Sequence, residues 1–221
     1  MPGPKISVNK LGDYLTASPT RRRRIVEEQK APKPFITARY NDAREAIVRY
    51  VAEGMINEER MIAVADRLRE SDEGSKFTRM DKAASADAIE SFLEITDKLD
   101  IEGTVPAAVE KTDAMHLELA GVSVSVRPEV ILKDPKTGRP VGAIKLHFPK
   151  TTPLDSIASE HVAALLKVSL DNNFPDASIN AKRCIVVDVS TGSVVTTPKA
   201  TKRRIENAVA ACEEIHARWE R

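Results

Sequence analysis

The sequence has few of the residues that mark several common classes of protein. Only two cysteines, Cys184 and Cys212, occur among its 221 residues, and their wide separation gives neither a disulfide framework nor a metal-ligand spacing. No apolar run approaches the roughly 18 residues of a membrane span, and the N-terminal segment lacks the apolar core of a signal peptide. We therefore expect a protein of the reducing cytoplasm with no membrane segment.

Motifs of several well-known chemistries are also missing. There is no glycine-rich phosphate loop, GxSxG turn, CxxC pair or HExxH helix. Aromatic residues make up 4% of the chain, which disfavours a base-stacking platform for single-stranded nucleic acid. The formal net charge is only +1, so any binding to nucleic acid must depend on local patches of charge.

The first part of the chain is predicted to be helical. Ser7 and the pair Ser18-Pro19 are typical starts of helices, and Asn41 is predicted to cap a third helix that ends at Gly54. A polar stretch over residues 70–83 predicts a loop. This stretch divides the chain into a helical N-terminal region, residues 1–83, and a core, residues 84–221.

The core begins with a helix predicted to be capped by Ser85. Residues 116–148 concentrate β-branched and aliphatic side chains, and turns at Arg127-Pro128 and at residues 134–138 divide them into a predicted three-stranded meander. A helix, a hairpin and a last helix follow. We expect an α/β (or α+β) protein in which a mixed sheet is flanked by helices.

Two charged residues interrupt the predicted meander. Glu129 opens the second strand, and Lys145 lies within the apolar third strand. Opposite charges on adjacent strands can form a structural ion pair or part of a polar site, and the sequence leaves both explanations open.

The order of elements and these two residues resemble the PD-(D/E)XK nuclease superfamily, in its RecB-like and Cas4-like form. The resemblance covers roughly residues 85–190 and implies a restriction-endonuclease-like sheet. In that superfamily an acidic residue opens the second strand, and the third strand carries a second acid, one variable residue and a lysine. Glu129 and Lys145 match the first acid and the lysine, whereas Ala143 stands in the place of the second acid.

The resemblance implies phosphodiester hydrolysis with Mg²⁺ or Mn²⁺. Glu129 would bind the metal and Lys145 would lie beside the attacking water, because such sites need carboxylates to hold the ion and a cation to stabilise developing charge. Since Ala143 cannot be a ligand, a helix glutamate would have to complete the metal site. The candidates are Glu90, Glu94 and Glu160, of which Glu90 and Glu94 are also typical of a solvated helix flank.

DNA is the partner implied by the resemblance. Arg127, beside Glu129, and the basic helix start at Lys199, Lys202 and Arg203 could contact its phosphates, although the latter group is equally typical of a solvated surface. The alternative function is a non-enzymatic protein of the same fold that binds nucleic acid or docks a protein partner.

Overall fold

The computed structural model describes residues 3–31, 39–110 and 115–219 of the chain. Its helices are α1 (Val8–Thr16), α2 (Pro19–Lys30), α3 (Asn41–Ala52), α4 (Glu58–Glu70), α5 (Lys76–Leu93), α6 (Ser156–Asn173) and α7 (Thr201–Trp219). Its strands are β1 (Lys5–Ser7), β2 (Val105–Ala108), β3 (Met115–Leu119), β4 (Val122–Val126), β5 (Val130–Lys133), β6 (Pro140–His147), β7 (Cys184–Asp188) and β8 (Ser193–Thr196).

The strands form two mixed sheets, so the chain has an α+β fold, as expected. The larger sheet has the order β2-β5-β6-β7-β8, in which only β6 and β7 are parallel. Helix α6 is the crossover between these two parallel strands, which agrees with the predicted strand-helix-strand connection. The smaller sheet has the order β1-β4-β3, with β1 parallel to β4.

The larger sheet separates two hydrophobic clusters because side chains alternate between its faces. Ala143 and Val186 point to a cluster shared with α1, α6, α7 and the smaller sheet. Ile144 and Val187 point to a second cluster, which α3, α4 and α5 cover. Strand β6 is the middle strand of the larger sheet. Hydrophobic packing on both faces of the sheet holds its polar side chains in place.

A helix and a strand pairing both cross the predicted boundary at residue 83. Helix α5 runs from Lys76 to Leu93, and β1 pairs with β4, so a strand from the N-terminal region completes a sheet of the core. Helix α1 also packs closely on α6. A Cβ atom placed on Gly12 would lie 2.7 Å from Cγ2 of Val162 and 3.2 Å from the carbonyl oxygen of Ala158.

Several predicted elements need correction. The predicted single meander is wrong, because β3 and β4 belong to the smaller sheet and only β5 and β6 to the larger one. The two sheets diverge after β4, and a turn at Ala120 and Gly121, both with positive φ, splits the first predicted strand in two. Strand β2 lies between the predicted first helix of the core and the predicted meander, where no strand was predicted. Helix α5 starts earlier than predicted, with Ser75 instead of Ser85 as its cap.

The predicted helix starts in the N-terminal region are mostly correct. The side chains of Ser7 and Ser18 cap α1 and α2 by accepting backbone N–H groups, but Tyr40, not Asn41, is the N-cap of α3. Within the described residues, no helix combines the length and apolar character required to cross a membrane.

The close contact of α1 with α6 predicts an unusual result for Gly12→Ala. Alanine normally stabilises a helix interior by about 1 kcal/mol relative to glycine, but here the added methyl group overlaps packed atoms and should reduce the free energy of unfolding by about 1–3 kcal/mol. Urea unfolding measures the change. The control is Gly3→Ala, where a Cβ atom meets nothing within 4 Å. An increase in stability for Gly12→Ala would show that α1 is not held tightly against the core.

Candidate functional site

Glu129, the residue just before β5, lies opposite Lys145 of β6. The register pairs Val130 with Ile144, so the adjacent positions bring the two side chains together on one side of the sheet. Lys145 Nζ donates to Glu129 Oε1 at 2.7 Å, and the backbone N–H of Leu146 donates to Glu129 Oε2 at 2.7 Å. Both oxygens of the carboxylate are therefore engaged, and each side chain is only 10% exposed.

A second cation, Arg44 of α3, approaches the same carboxylate. Its Nε lies 3.6 Å from Glu129 Oε1 and is a buried donor with no hydrogen-bond partner among the described residues. The guanidinium carbon lies 5.2 Å from the ring centroid of Phe148, within the range of a cation–π interaction. The aromatic contact and the Glu129 carboxylate together position Arg44 at this place, with its side chain 37% exposed.

The position of α3 depends on its first turn. Tyr40, in the left-handed region at φ 61°, stacks on Phe148 with ring centroids 5.6 Å apart. Its backbone N–H donates to Asp81 Oδ1 on α5 at 3.3 Å. These contacts tie the start of α3 both to α5 and to the end of β6, which positions Arg44 beside Glu129.

The three charged groups border an open cleft of about 830 Å³. One wall is the exposed side of α3, and the opposite side is formed by the end of β2 and the residues that lead into β5. The cleft is lined by Asn41, Arg44, Glu45, Val48, Arg49, Ala52, Glu53, Ala108, Val109, Glu110, Arg127, Pro128, Glu129 and Lys145.

The helix glutamates proposed as additional metal ligands do not line this cleft. Glu90 makes two hydrogen bonds of 2.7 Å with Arg69 of α4, and these bonds lower the pKa of its carboxyl group. Glu160 pairs with Arg204 of α7, whose Nε lies 2.9 Å from its Oε2. Glu94 is exposed at the end of α5.

The donors around Glu129 do not fit a catalytic Mg²⁺. Such an ion needs oxygen ligands, usually more than one carboxylate, at short distances, whereas Glu129 is bound by a lysine and a backbone N–H. Ala143, at the place of the second acid, is fully buried. In the described part of the chain no group of three or more His, Cys, Asp or Glu residues could hold a metal ion.

His147 lies on the same side of β6 as Lys145 and is nearly buried. Its Nε2 lies 2.7 Å from the carbonyl oxygen of Thr152, and its Nδ1 lies 3.3 Å from Nδ2 of Asn9 on α1. A neutral ring with its proton on Nε2 satisfies both contacts. Burial lowers the pKa of His147, which also favours the neutral form, and the nearby carboxylate of Asp188 only partly opposes this shift.

The predicted phosphate contacts fall in two separate places. Arg127 is exposed and lines the cleft next to Glu129. Lys199, Lys202 and Arg203 are exposed at the start of α7 and line no part of the cleft. The structure thus brings Glu129, Lys145 and Arg127 together, and it separates the basic start of α7 from them.

Sequence reasoning did not predict the contribution of Arg44. It lies one position from Ala43 and two from Ala46, both on the packed side of α3, and a long cation beside such positions is typical of a helix flank. Nothing in the local pattern indicates that α3 packs beside the start of β5. The interruption of apolar strand β6 by Lys145 was the usable signal for the site.

Comparison of the sequence with models of protein families yields no matching family, and comparison with curated proteins yields no significant match.

The Glu129–Lys145 pair predicts strong coupling in a double-mutant cycle. Lys145→Met leaves a nearly buried carboxylate without its lysine and should reduce the free energy of unfolding by about 2–4 kcal/mol. The double variant Glu129→Leu/Lys145→Met removes both charges and should recover at least half of that loss. Urea unfolding of the two single variants and the double variant measures the coupling. Additive effects would show that the two charges do not stabilise each other.

Acidification should destabilise the protein through its buried histidines. Burial lowers the pKa of both His147 and His161, so the unfolded chain binds more protons than the folded one as the pH falls through the ordinary histidine value of about 6.5. The free energy of unfolding should therefore be lower at about pH 5.5 than at about pH 7.5. The variant His147→Gln, which keeps a donor and an acceptor, should show a smaller decrease. An equal decrease in this variant would exclude His147 as a source of the pH dependence.

Proposed function

We propose that this chain binds a phosphate group of nucleic acid without a metal ion. The phosphate would lie at the inner end of the cleft, which is the end bordered by Arg44, Glu129 and Lys145, with Lys145 and Arg44 as its direct contacts. In this proposal the protein is a non-hydrolysing relative of the nuclease fold that it resembles. The observation that supports it best is the charge at this inner end, where the two cations Lys145 and Arg44 lie beside the single carboxylate of Glu129.

The donors available at this end suit a phosphate. The ammonium group of Lys145 has three N–H bonds, of which one is directed at Glu129. The Arg44 side chain is 37% exposed and lines the cleft. The terminal N–H groups of its guanidinium can donate to a phosphate oxygen, and hydrogen bonds between charged groups each stabilise a complex by about 1.5–3 kcal/mol.

Glu129 has a positioning role in this proposal. Its carboxylate holds the ammonium group of Lys145 at the edge of the cleft, in a place where an unpaired lysine would be costly to bury. Arg127 lies at the exposed side of the same end and adds a third positive charge near the incoming phosphate.

Metal-dependent hydrolysis of DNA is the second candidate function. It is favoured by one observation, the contact of an acid just before β5 with a lysine of β6 in the lining of an open cleft. This candidate requires a divalent ion and the Glu129 carboxylate, whereas phosphate binding requires neither a metal nor a second acid.

The proposal predicts oligonucleotide binding that is insensitive to EDTA and depends on two cations. Lys145→Gln and Arg44→Gln should each weaken the binding of a short labelled DNA or RNA by about tenfold or more, measured by fluorescence anisotropy. Each should also reduce the slope of log affinity against log salt by about 0.7–0.9, the contribution of one phosphate contact. The matched control is Arg24→Gln on α2, since Arg24 is exposed and pairs with Glu28 away from the cleft.

Two results would contradict the proposal. Cleavage of DNA with Mg²⁺ or Mn²⁺ that is lost in both Glu129→Gln and Lys145→Gln would establish hydrolysis instead. The absence of binding to any oligonucleotide by the folded wild-type chain would exclude nucleic acid as the ligand and leave docking of a protein partner as the alternative.

A further inference from the structure

We infer that the cleft recognises a terminal phosphate, the phosphate monoester of a mononucleotide or of a strand end, and not the internal phosphodiesters of a continuous strand. This inference rests on the proposed phosphate binding and narrows its ligand. It follows from three features: the lack of net charge in the cleft lining, the apolar residues of that lining and the charge of the phosphate monoester.

The cleft follows one side of α3 from its first residue to just beyond its last. The lining positions Asn41, Val48 and Glu53 mark its course, and a helix of 12 residues is about 18 Å long. Lys145 and Arg44 lie at the end nearest Asn41. A ligand bound there would extend from the cations along the helix towards Glu53.

The remainder of the cleft does not provide a path for a polyanion. Its lining contains four basic side chains, Arg44, Arg49, Arg127 and Lys145, and four acidic ones, Glu45, Glu53, Glu110 and Glu129, so the lining has no net charge. A continuous strand brings one negative charge with every nucleotide, and the acidic side chains of the lining offset the basic ones that successive phosphates would need. One phosphate can be neutralised at the inner end, but a row of phosphates cannot.

The lining also contains apolar residues. Val48 and Ala52 belong to α3, and Val109 and Pro128 lie on the opposite side of the cleft, next to Glu129. Uncharged sugar and base atoms could bury apolar surface here, which is the usual composition of a pocket for a small ligand. The cleft volume of about 830 Å³ lies within the range of about 300–1,000 Å³ for such pockets.

The charge of a monoester also matches the inner end better than that of a diester. A phosphate monoester carries about −1.5 to −2 charges at neutral pH, and it has three terminal oxygens that accept hydrogen bonds. An internal phosphodiester carries a single charge. The ammonium of Lys145 and the guanidinium groups of Arg44 and Arg127 together favour the more highly charged group.

The test uses one short DNA sequence in three forms, each with the same internal fluorophore. The forms are a linear strand with a terminal phosphate, tested at the 5′ and at the 3′ end, a linear strand with hydroxyl ends, and a covalently closed circle. The full chain should bind one of the phosphorylated strands at least about tenfold more tightly than the other two forms. Lys145→Gln should abolish this preference, and Arg24→Gln should retain it.

Competition identifies the source of the phosphate. A nucleoside monophosphate should displace the phosphorylated strand, and the corresponding nucleoside should not. If the mononucleotide binds as tightly as the strand, the ligand is the free nucleotide; if it binds more weakly, the ligand is a strand end. The Glu53→Gln variant, which removes the lining carboxylate at the far end of α3, should strengthen the binding of the circle and so reduce the preference for the phosphorylated strand.

The outcomes separate this inference from the function on which it rests. Equal binding of the circle and the phosphorylated strand, with both still dependent on Lys145, would overturn recognition of a terminal phosphate and leave phosphate binding in place. A terminal-phosphate preference that persists in Lys145→Gln would overturn the assignment of the site. Binding of none of the probes would overturn the proposed function and this inference together.

Discussion

The ion pair between Glu129 and Lys145 determines how the inner end of the cleft is built. A lysine in the middle of an apolar strand is tolerated because a carboxylate lies opposite it in the register of β5 and β6. The same carboxylate accepts the backbone N–H of Leu146 and attracts Arg44 from α3. One acidic residue therefore brings the start of β5, the middle of β6 and the first turns of α3 together at one end of the cleft.

The N-terminal region contributes to the environment of this site. Strand β1 completes the smaller sheet, and Asn9 of α1 donates to the carbonyl oxygen of Leu146 at 3.1 Å and contacts His147. The close approach of α1 to α6 at Gly12 keeps these contacts in place. The polar side chains of β6 are therefore held by elements that precede and follow the strand in sequence, and their rigidity supports a preorganised site.

The elements that depend on local signals were predicted well. Ser7, Ser18 and Pro19 start helices through caps formed within a few residues, and β7 and β8 form a hairpin because their turn is short. The proximity of Glu129 and Lys145 was also accessible, since a hairpin joins their two segments, but their exact pairing depends on a register shift between Leu132 and Lys133 that the sequence does not reveal. Strand β2, with the sequence VPAA, has neither alternation nor β-branched enrichment, and its pairing with β5 is a tertiary effect. The position of Arg44 depends on how α3 packs, which no local pattern encodes. The placement of β3 and β4 in a separate sheet involves the pairing of β4 with β1, a strand more than 100 residues earlier in the chain.

The central claim is that Lys145 faces a phosphate and not a metal ion, and side-chain NMR of its ammonium group tests this most directly. The nitrogen signal of Lys145, assigned by its loss in Lys145→Gln, can be followed while a nucleoside monophosphate or Mn²⁺ is added to the folded chain. The account predicts that the nucleotide shifts this signal and that a small amount of Mn²⁺ leaves it sharp. Selective broadening of the Lys145 signal by Mn²⁺, abolished by EDTA and accompanied by no response to the nucleotide, would contradict it.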